Sequence, residues 1–231
     1  MDPILEVNNI SKIFGEGDNK VTAVDSVSLD IKKHEMLLIM GPSGSGKTTL
    51  LSMMGCILRP TKGEVVVEGR IVSRGEASPR PYEDVLPDIR KRFFGFVFQA
   101  FNLFPSLTAV ENVELVLRLK RHDKKVIRSE ALGLLEKVGL GKRAYFYPAD
   151  MSGGEKQRVA FARSLAGAPP VILADEPTAN LDSKTGMEVL KLLRELAENS
   201  GKAIVIVSHD PKAEATAHRV VFLEDGKIKE S

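Results

Sequence analysis

The clearest chemical signal in the chain is the run Gly41-Pro42-Ser43-Gly44-Ser45-Gly46-Lys47-Thr48, which fits G-x-x-x-x-G-K-S/T in full. Its glycines let a short loop turn backbone N–H groups inward, and such a nest at the start of a helix binds anions. At this spacing Lys47 reaches the β- and γ-phosphates of a nucleotide, and the Thr48 hydroxyl joins a Mg²⁺ ion. Thr49 follows in the same turn and completes the candidate phosphate contacts. The apolar run Met36–Met40 precedes the loop and a helical stretch follows it, which is the context this motif requires. An accidental match in a chain of 231 residues is on the order of one in a hundred at ordinary glycine usage.

A second group lies at the end of Val171-Ile172-Leu173-Ala174-Asp175-Glu176, an apolar strand closing in two acids. The carboxyl ends of strands are where open α/β sheets bind ligands. Asp175 is placed to hold Mg²⁺, partly through water, and Glu176 to polarise an attacking water as general base. A plain surface Asp-Glu pair is the competing reading, and the phosphate loop weighs against it. His209 follows a third apolar run, Ala203–Val207, and is placed to contact the γ-phosphate and to orient Glu176 and the water. His34, His122 and His218 lack such placement and read as structural.

These residues need strands and helices to hold them. Strand signals fall at Ile4–Val7, Val24–Ile31, Met36–Met40, Val65–Val67, Phe94–Phe98, Val171–Ala174, Ala203–Val207, Val220–Leu223 and Lys227–Lys229. Helical patterns cover Lys47–Leu58, the region from Thr108 to about Gly139, Ser152–Ala166 and Ser183–Glu198. Ser73–Pro87, rich in Pro, Gly and charge, reads as a surface excursion. Alternating strands and helices imply a mainly parallel sheet, with antiparallel character expected in the opening strands and the tail. The almost purely helical stretch from about Ala100 to Arg163 suggests a helical lobe inserted into an α/β core.

Bulk composition is that of an ordinary soluble chain, 43% hydrophobic and 28% charged. A net charge of only +2 gives no global sign of nucleic-acid binding. The basic stretch Arg118–Lys125 reads as a solvated helix end. No apolar run approaches the roughly 20 residues that span a bilayer, and Met1-Asp2-Pro3 does not open a secretory signal. A membrane role would therefore pass through a partner. Cys56 is the one cysteine, which excludes an internal disulfide, fits a reducing compartment and reads as a buried small hydrophobe.

The motif Met151-Ser152-Gly153-Gly154-Glu155, continuing Lys156-Gln157-Arg158, resembles the LSGGQ signature of ABC-type ATPases, with Met for Leu and Glu for Gln. Together with the phosphate loop, the two-acid strand and His209, the likeness covers essentially the whole chain. It implies one ABC ATP-binding domain over 1–231: a P-loop NTPase, RecA-like α/β core with an antiparallel β subdomain and an inserted α-helical subdomain. The core is expected at about 1–99 and 164–231 and the helical subdomain at about 100–163. Ser152 is a good N-cap, and Gly153, Gly154 and Glu155 would present helix N-terminal N–H groups to phosphate oxygens. In the family that tip closes over the γ-phosphate held by the other copy, so the resemblance implies an ATP-dependent homodimer with ATP and Mg²⁺ as ligands.

Further positions match the family residue by residue. Gln99 resembles the glutamine that senses Mg²⁺ and water and reports to the membrane partner. Ala179-Asn180-Leu181-Asp182 resembles the loop whose Asp182 contacts the opposite subunit. Phe14, in Lys12-Ile13-Phe14-Gly15, resembles the aromatic that stacks on adenine, typically worth ~1–3 kcal/mol, with a core phenylalanine as the alternative. The stretch Arg92–Asn112, the surface excursion before it and the run Ala174–Asp182 are similar to the lipoprotein-releasing and macrolide-efflux branch. That implies integral-membrane transporter subunits as partners, a peripheral place on the cytoplasmic face, and no nucleic acid. Phe101, Leu103, Phe104 and Leu107 either line the groove for a partner's helix or form lobe core. Two other functions share motifs with this one: a non-transporting ATPase regulating a membrane complex, as in cell-wall remodelling, and a soluble ATPase acting on nucleic acid. The latter relatives carry long coiled-coil arms or two cassettes, and this sequence has neither. Whether Ser231 ends a complete subunit or a domain of a longer transporter is left open by the sequence.

Overall fold

Uninterrupted apolar strands are buried on both faces, as the central strands of a parallel sheet must be. β3 (Met36–Met40), β7 (Val171–Asp175) and β8 (Ala203–Val207) obey this, every residue being buried except the terminal Asp175. The computed structural model describes residues 2–76, 85–120 and 123–229. The remaining elements are β1 (Pro3–Phe14), β2 (Val21–Lys32), α1 (Lys47–Met54), β4 (Lys62–Val67), β5 (Arg70–Arg74), α2 (Leu86–Phe93), β6 (Phe94–Val97), α3 (Ala109–Leu119), α4 (Ile127–Lys137), α5 (Gly153–Leu165), α6 (Ser183–Ser200), β9 (Arg219–Glu224) and β10 (Lys227–Lys229).

They form two sheets. One has the order β2-β1-β4-β5 and is antiparallel throughout; the other has the order β10-β9-β3-β8-β7-β6. In the second, β9, β3, β8, β7 and β6 run parallel and only β10 turns back. The antiparallel tail expected from the sequence holds for the β9–β10 pair, where Asp225-Gly226, both at positive φ, make the tight turn that reverses β10, but not for β9 itself, which is parallel to β3.

Alternation along each central strand divides the core. Met36, Leu38, Met40, Ile172, Ala174, Ile204 and Ile206 face a cluster shared with α3, α4, α5 and α6. Leu37, Ile39, Val171, Leu173, Val205 and Val207 face α1 and the antiparallel sheet. The helical lobe therefore shares one apolar core with the sheet.

Several expected bounds shift. The opening strand is not the short Ile4–Val7 but twelve residues, bent by register shifts around Ile10 that absorb the polar Asn8-Asn9 pair. α1 stops at Met54 rather than Leu58, because Gly55 closes its carbonyls and Cys56 turns to φ +55. The region from Thr108 to Gly139 is two helices, α3 and α4; His122, between them, lies outside the described residues. The surface excursion Ser73–Pro87 begins inside β5 and ends inside α2, and residues 77–84 of it lie outside the described residues. The basic helix end is not wholly solvated. Lys120 turns into an apolar groove, where burial, with some repulsion from Lys202, pushes its amine down to about 8.

Candidate functional site

The phosphate loop leaves β3 at Met40 and opens α1 at Lys47. Two of its glycines are obligatory on steric grounds. Gly41 has φ +151, and a Cβ there would stand 2.0 Å from the Leu223 carbonyl; Gly46 has φ +100 and would meet the Ala23 carbonyl at 2.1 Å. No side chain caps α1, so the N–H groups of its first turn face the loop's hollow unmatched. Lys47 is buried and donates from Nζ to the carbonyls of Gly41 and Pro42, each at 2.8 Å. Its ammonium spans the loop at the depth where phosphates would lie.

A cavity of about 710 Å³ opens over this loop. Its walls include Pro42, Ser43, Gly44, Gly46, Lys47, Thr48, Thr49, Gln99, Glu176 and His209, all candidates from the sequence, together with Ala23, which was not. Gly41 and Ser45 belong to the loop but are not among the cavity's walls. Ser45 is buried, and its N–H donates to Pro42 O at 3.2 Å.

The two-acid strand delivers its side chains to the same place. Thr48 Oγ1 donates to Asp175 Oδ1 at 3.1 Å. Burial lifts the Asp175 carboxyl above the usual aspartate range; the Thr48 hydrogen bond opposes this and the Glu176 charge adds to it. Asp175 is thus a carboxylate without a full cationic partner beside a hydroxyl and a lysine. Among the described residues no three of His, Cys, Asp and Glu gather into a metal cage. A cation here would be held by two protein oxygens with phosphate and water, which is the habit of Mg²⁺. The donor set fits that ion.

Glu176 is held in left-handed backbone, φ +44, with its N–H donating to Val207 O at 3.0 Å. Such backbone is disfavoured for a residue with a Cβ and clusters at functional positions. Both carboxylate oxygens are engaged: His209 Nδ1 lies 2.7 Å from Oε1, and Ser208 Oγ donates to Oε2 at 3.2 Å. The carboxylate can only accept, so Nδ1 carries the proton and Nε2 is left for another partner. Ser208 was missed by sequence reading, although it sits beside the singled-out histidine.

Other candidates lie outside this cavity. Ser152 caps α5 in a reciprocal box with Glu155: Ser152 N–H donates to Glu155 Oε2 at 2.8 Å, and Glu155 N–H to Ser152 Oγ at 3.3 Å. The Ser152 N–H, with help from Arg143, holds the Glu155 carboxyl below its ordinary value. Arg143 reaches Glu155 at 2.9 Å while its guanidinium lies 3.8 Å from the Phe146 ring centroid. The departure from Gln to Glu thus has a local reason, since a carboxylate at this helix position strengthens the cap. Gly153 leaves the helix tip partly exposed beside the loop Ala179–Asp182, where a Cβ would touch Asn180 O at 3.4 Å, whereas Gly154 is buried and a Cβ there would stand 2.3 Å from Thr185 Cγ2. Asp182 is the N-cap of α6 and accepts from the N–H groups of Lys184 and Thr185, each at 3.1 Å. Phe14 ends β1 half-exposed, with Lys12 Nζ 5.5 Å from its ring centroid. Asn180, named in the sequence only as part of the run Ala179–Asp182, donates to the Gln99 carbonyl at 2.8 Å.

A second, apolar groove of about 520 Å³ is lined by Ile57, Phe94, Phe96, Phe98, Phe104 and Leu119 among others, with Arg90, Lys91, Lys120 and Arg163 at its polar positions. Of Phe101, Leu103, Phe104 and Leu107, for which the sequence left groove and lobe core open, Phe104 lines this groove and Leu103 packs against the core.

The chain is similar to proteins of known kind. A family model described as ABC transporter matches residues 24–179. The lipoprotein-releasing system ATP-binding protein of Shewanella oneidensis is 40% identical, over 99% of this chain and 96% of that protein. The macrolide export ATP-binding/permease protein of Hyphomonas neptunium is 44% identical over 98% of this chain but only 34% of its own length. Among solved structures, an ATP-binding cassette of Methanocaldococcus jannaschii, in a dimeric post-hydrolysis state bound to ADP and Pi, superposes with a TM-score of 0.85 at 42% identity, covering 98% of this chain and 97% of that one. With its glycine cradle, paired acids and serine-capped helix in one fold, the chain belongs to the ABC transporter ATP-binding cassettes.

Proposed function

We propose that this cassette binds ATP·Mg²⁺ in the loop cavity, closes head to tail on a second copy, and hydrolyses ATP to drive an integral-membrane partner at the cytoplasmic face. The observation that carries this reading is the convergence of Thr48 with Asp175 and of Glu176 with His209 and Ser208 on one phosphate cradle. The dimeric cassette from Methanocaldococcus supports the pairing, and the relative that joins cassette and permease in one protein supports the membrane partner.

In this mechanism Lys47 exchanges the Gly41 and Pro42 carbonyls for β- and γ-phosphate oxygens. Thr48, Asp175 and Gln99 would hold the cation, which when bound neutralises charge on those phosphates and orients them. Glu176 takes a proton from the attacking water. Ser208 and His209 fix the direction of its lone pairs, and His209 Nε2 stays available to the γ-phosphate. Phe14 stacks on the base. Ser152 with Gly153, Gly154 and Glu155 lies outside the chain's own cavity, so a helix tip built for phosphate has its ligand in the partner copy. Asp182 extends the same contact surface. The apolar groove is the seat for a helix of the membrane subunit, and the lipoprotein-release and macrolide-efflux type is the transporter branch we assign.

Glu176→Gln tests the reading. Without a base, turnover should fall by about 10²–10⁴-fold while the cradle still fills, so a dimer should accumulate with ATP on gel filtration. Unchanged turnover, or a monomer at saturating ATP, refutes it.

A further inference from the structure

The segment from Phe98 to Thr108 has no regular structure, yet its carbonyls are gripped by side chains from separate elements. Asn180 donates to Gln99 O at 2.8 Å. Arg163, on α5, donates from Nη2 to Phe101 O at 2.8 Å and from Nη1 to Asn102 O. Asn112, fully buried on α3, accepts from Phe104 N–H at 2.8 Å and donates to the carbonyls of Phe104, Leu107 and Thr108. Phe101 and Asn102 are both left-handed, at φ +58 and +50. Consecutive left-handed residues that carry a Cβ are disfavoured and persist only where their surroundings impose them. The two carbonyls that this turn brings together converge on one guanidinium, whose planar fork matches such a pair.

This turn also lies between the two cavities. Gln99 lines the phosphate cavity, while Phe98, Asn102, Phe104 and Arg163 line the apolar groove. The depth of Gln99 over the phosphates therefore depends on where the Phe101-Asn102 turn is held. Arg163 stands at the far end of the helix whose N-cap is Ser152.

We propose that Arg163 is a positioning residue for hydrolysis: it clamps the left-handed turn at Phe101 and Asn102 and so sets the placement of Gln99 in the phosphate cavity. The proposal rests on the ATPase reading above and adds a link between α5, the apolar groove and the site.

The test is a double-mutant cycle on ATP turnover in the full chain with ATP and Mg²⁺. Arg163→Met removes both donors at similar length, Arg163→Lys keeps the charge and one donor, and Gln99→Ala removes the side chain being placed. Arg163→Met should lower kcat about tenfold or more, the scale of losing a supporting partner. KM for ATP should stay within about twofold. Arg163→Lys should recover part of the loss. In the Gln99→Ala background Arg163→Met should cost little more, since what it positions is already gone. Equal losses in both backgrounds overturn the proposal, because a residue that merely holds the lobe together lowers activity whatever stands at 99. Full activity of Arg163→Met overturns it too, and if that variant does not fold, Arg163→Lys in the two backgrounds decides. An inactive wild-type chain condemns the ATPase reading itself; an active one with additive losses condemns only the role of Arg163.

Discussion

At the scale of single residues the site holds its charges at a cost to the ligand-free fold. Asp175 has its carboxyl raised above the ordinary range, by burial first and by the Glu176 charge in addition. A carboxylate whose folded-state pKa is raised stabilises the fold fully only below its unfolded pKa, and that contribution is lost as pH climbs through the folded value. Ionised Asp175 is thus a net burden on the fold, which in the proposed mechanism a cation would relieve. Asp175→Asn keeps the shape and removes the charge. We expect its thermal midpoint without nucleotide to rise on the order of 1–2 °C at pH 7, a gain that fades toward pH 3–4, where Asp175 is protonated. The same variant should lose the Mg²⁺-dependent part of its ATP affinity. Calorimetry at two pH values and nucleotide titration with and without Mg²⁺ check both halves. A variant less stable at pH 7 would mean that the Thr48 hydrogen bond outweighs burial. Glu176 shows the same economy in its backbone, since φ +44 is tolerated where the carboxylate must reach His209 and Ser208.

At the scale of elements, α5 has two separable duties under the proposed function: its N-cap stabilises the helix, and its tip would be offered to a phosphate on another copy. Ser152→Asp separates them. A carboxylate caps the exposed N–H groups as well as a hydroxyl does and favours the helix dipole, so stability should hold within about 0.5 kcal/mol. The added anion should repel the incoming phosphate and abolish ATP-dependent pairing, while nucleotide binding by the single copy persists. Ser152→Ala should do the reverse, losing about 1 kcal/mol of stability with weakened but detectable pairing. Denaturant melts and gel filtration in the Glu176→Gln background measure the two effects; loss of stability in the aspartate variant with normal pairing would contradict the assignment. This helix was legible in the sequence because Ser152 and Glu155 stand at capping-box spacing ahead of apolar residues. The phosphate loop and the two-acid strand were legible for a similar reason, each being local and sharply patterned. β5 was not, although Glu68-Gly69 at φ +49 and +71 makes the tight hairpin turn from β4 to β5. Its strand, Arg70-Ile71-Val72-Ser73-Arg74, is short and flanked by charge, so the turn was the only strong cue. The order of the strands, the parallel direction of β9 and the clamp of Arg163 on Phe101 and Asn102 depend on long-range pairing that no local spacing records.

At the scale of the whole molecule, Cys56 joins the nucleotide loop to the packing of both sheets. It is buried in the cluster that contains Leu5 and Val65 of the antiparallel sheet and Leu37 and Val205 of the parallel one. Burial pushes its thiol up to about 12, against the nearby Arg90 charge. Only the thiolate reacts, so a disulfide reagent at pH 8 must wait for an opening that both exposes and rehydrates the sulfur. Cys56 follows α1 directly, and the turn at Gly55 and Cys56 is closed by N–H bonds to the carbonyls of Leu51 and Met53. An opening that frees the sulfur must therefore loosen α1, whose first turn is the floor of the phosphate cavity. Ligand that binds only the closed form suppresses such openings in proportion to 1 + [L]/Kd, about a hundredfold at a hundred times Kd. Labelling of Cys56 should accordingly be slow in the native chain, slower by about that factor with saturating ATP·Mg²⁺, and insensitive to ATP in Lys47→Ala. Rapid labelling that ATP leaves unchanged would show that the sulfur is reached by a local fluctuation and that loop and core are not one cooperative unit.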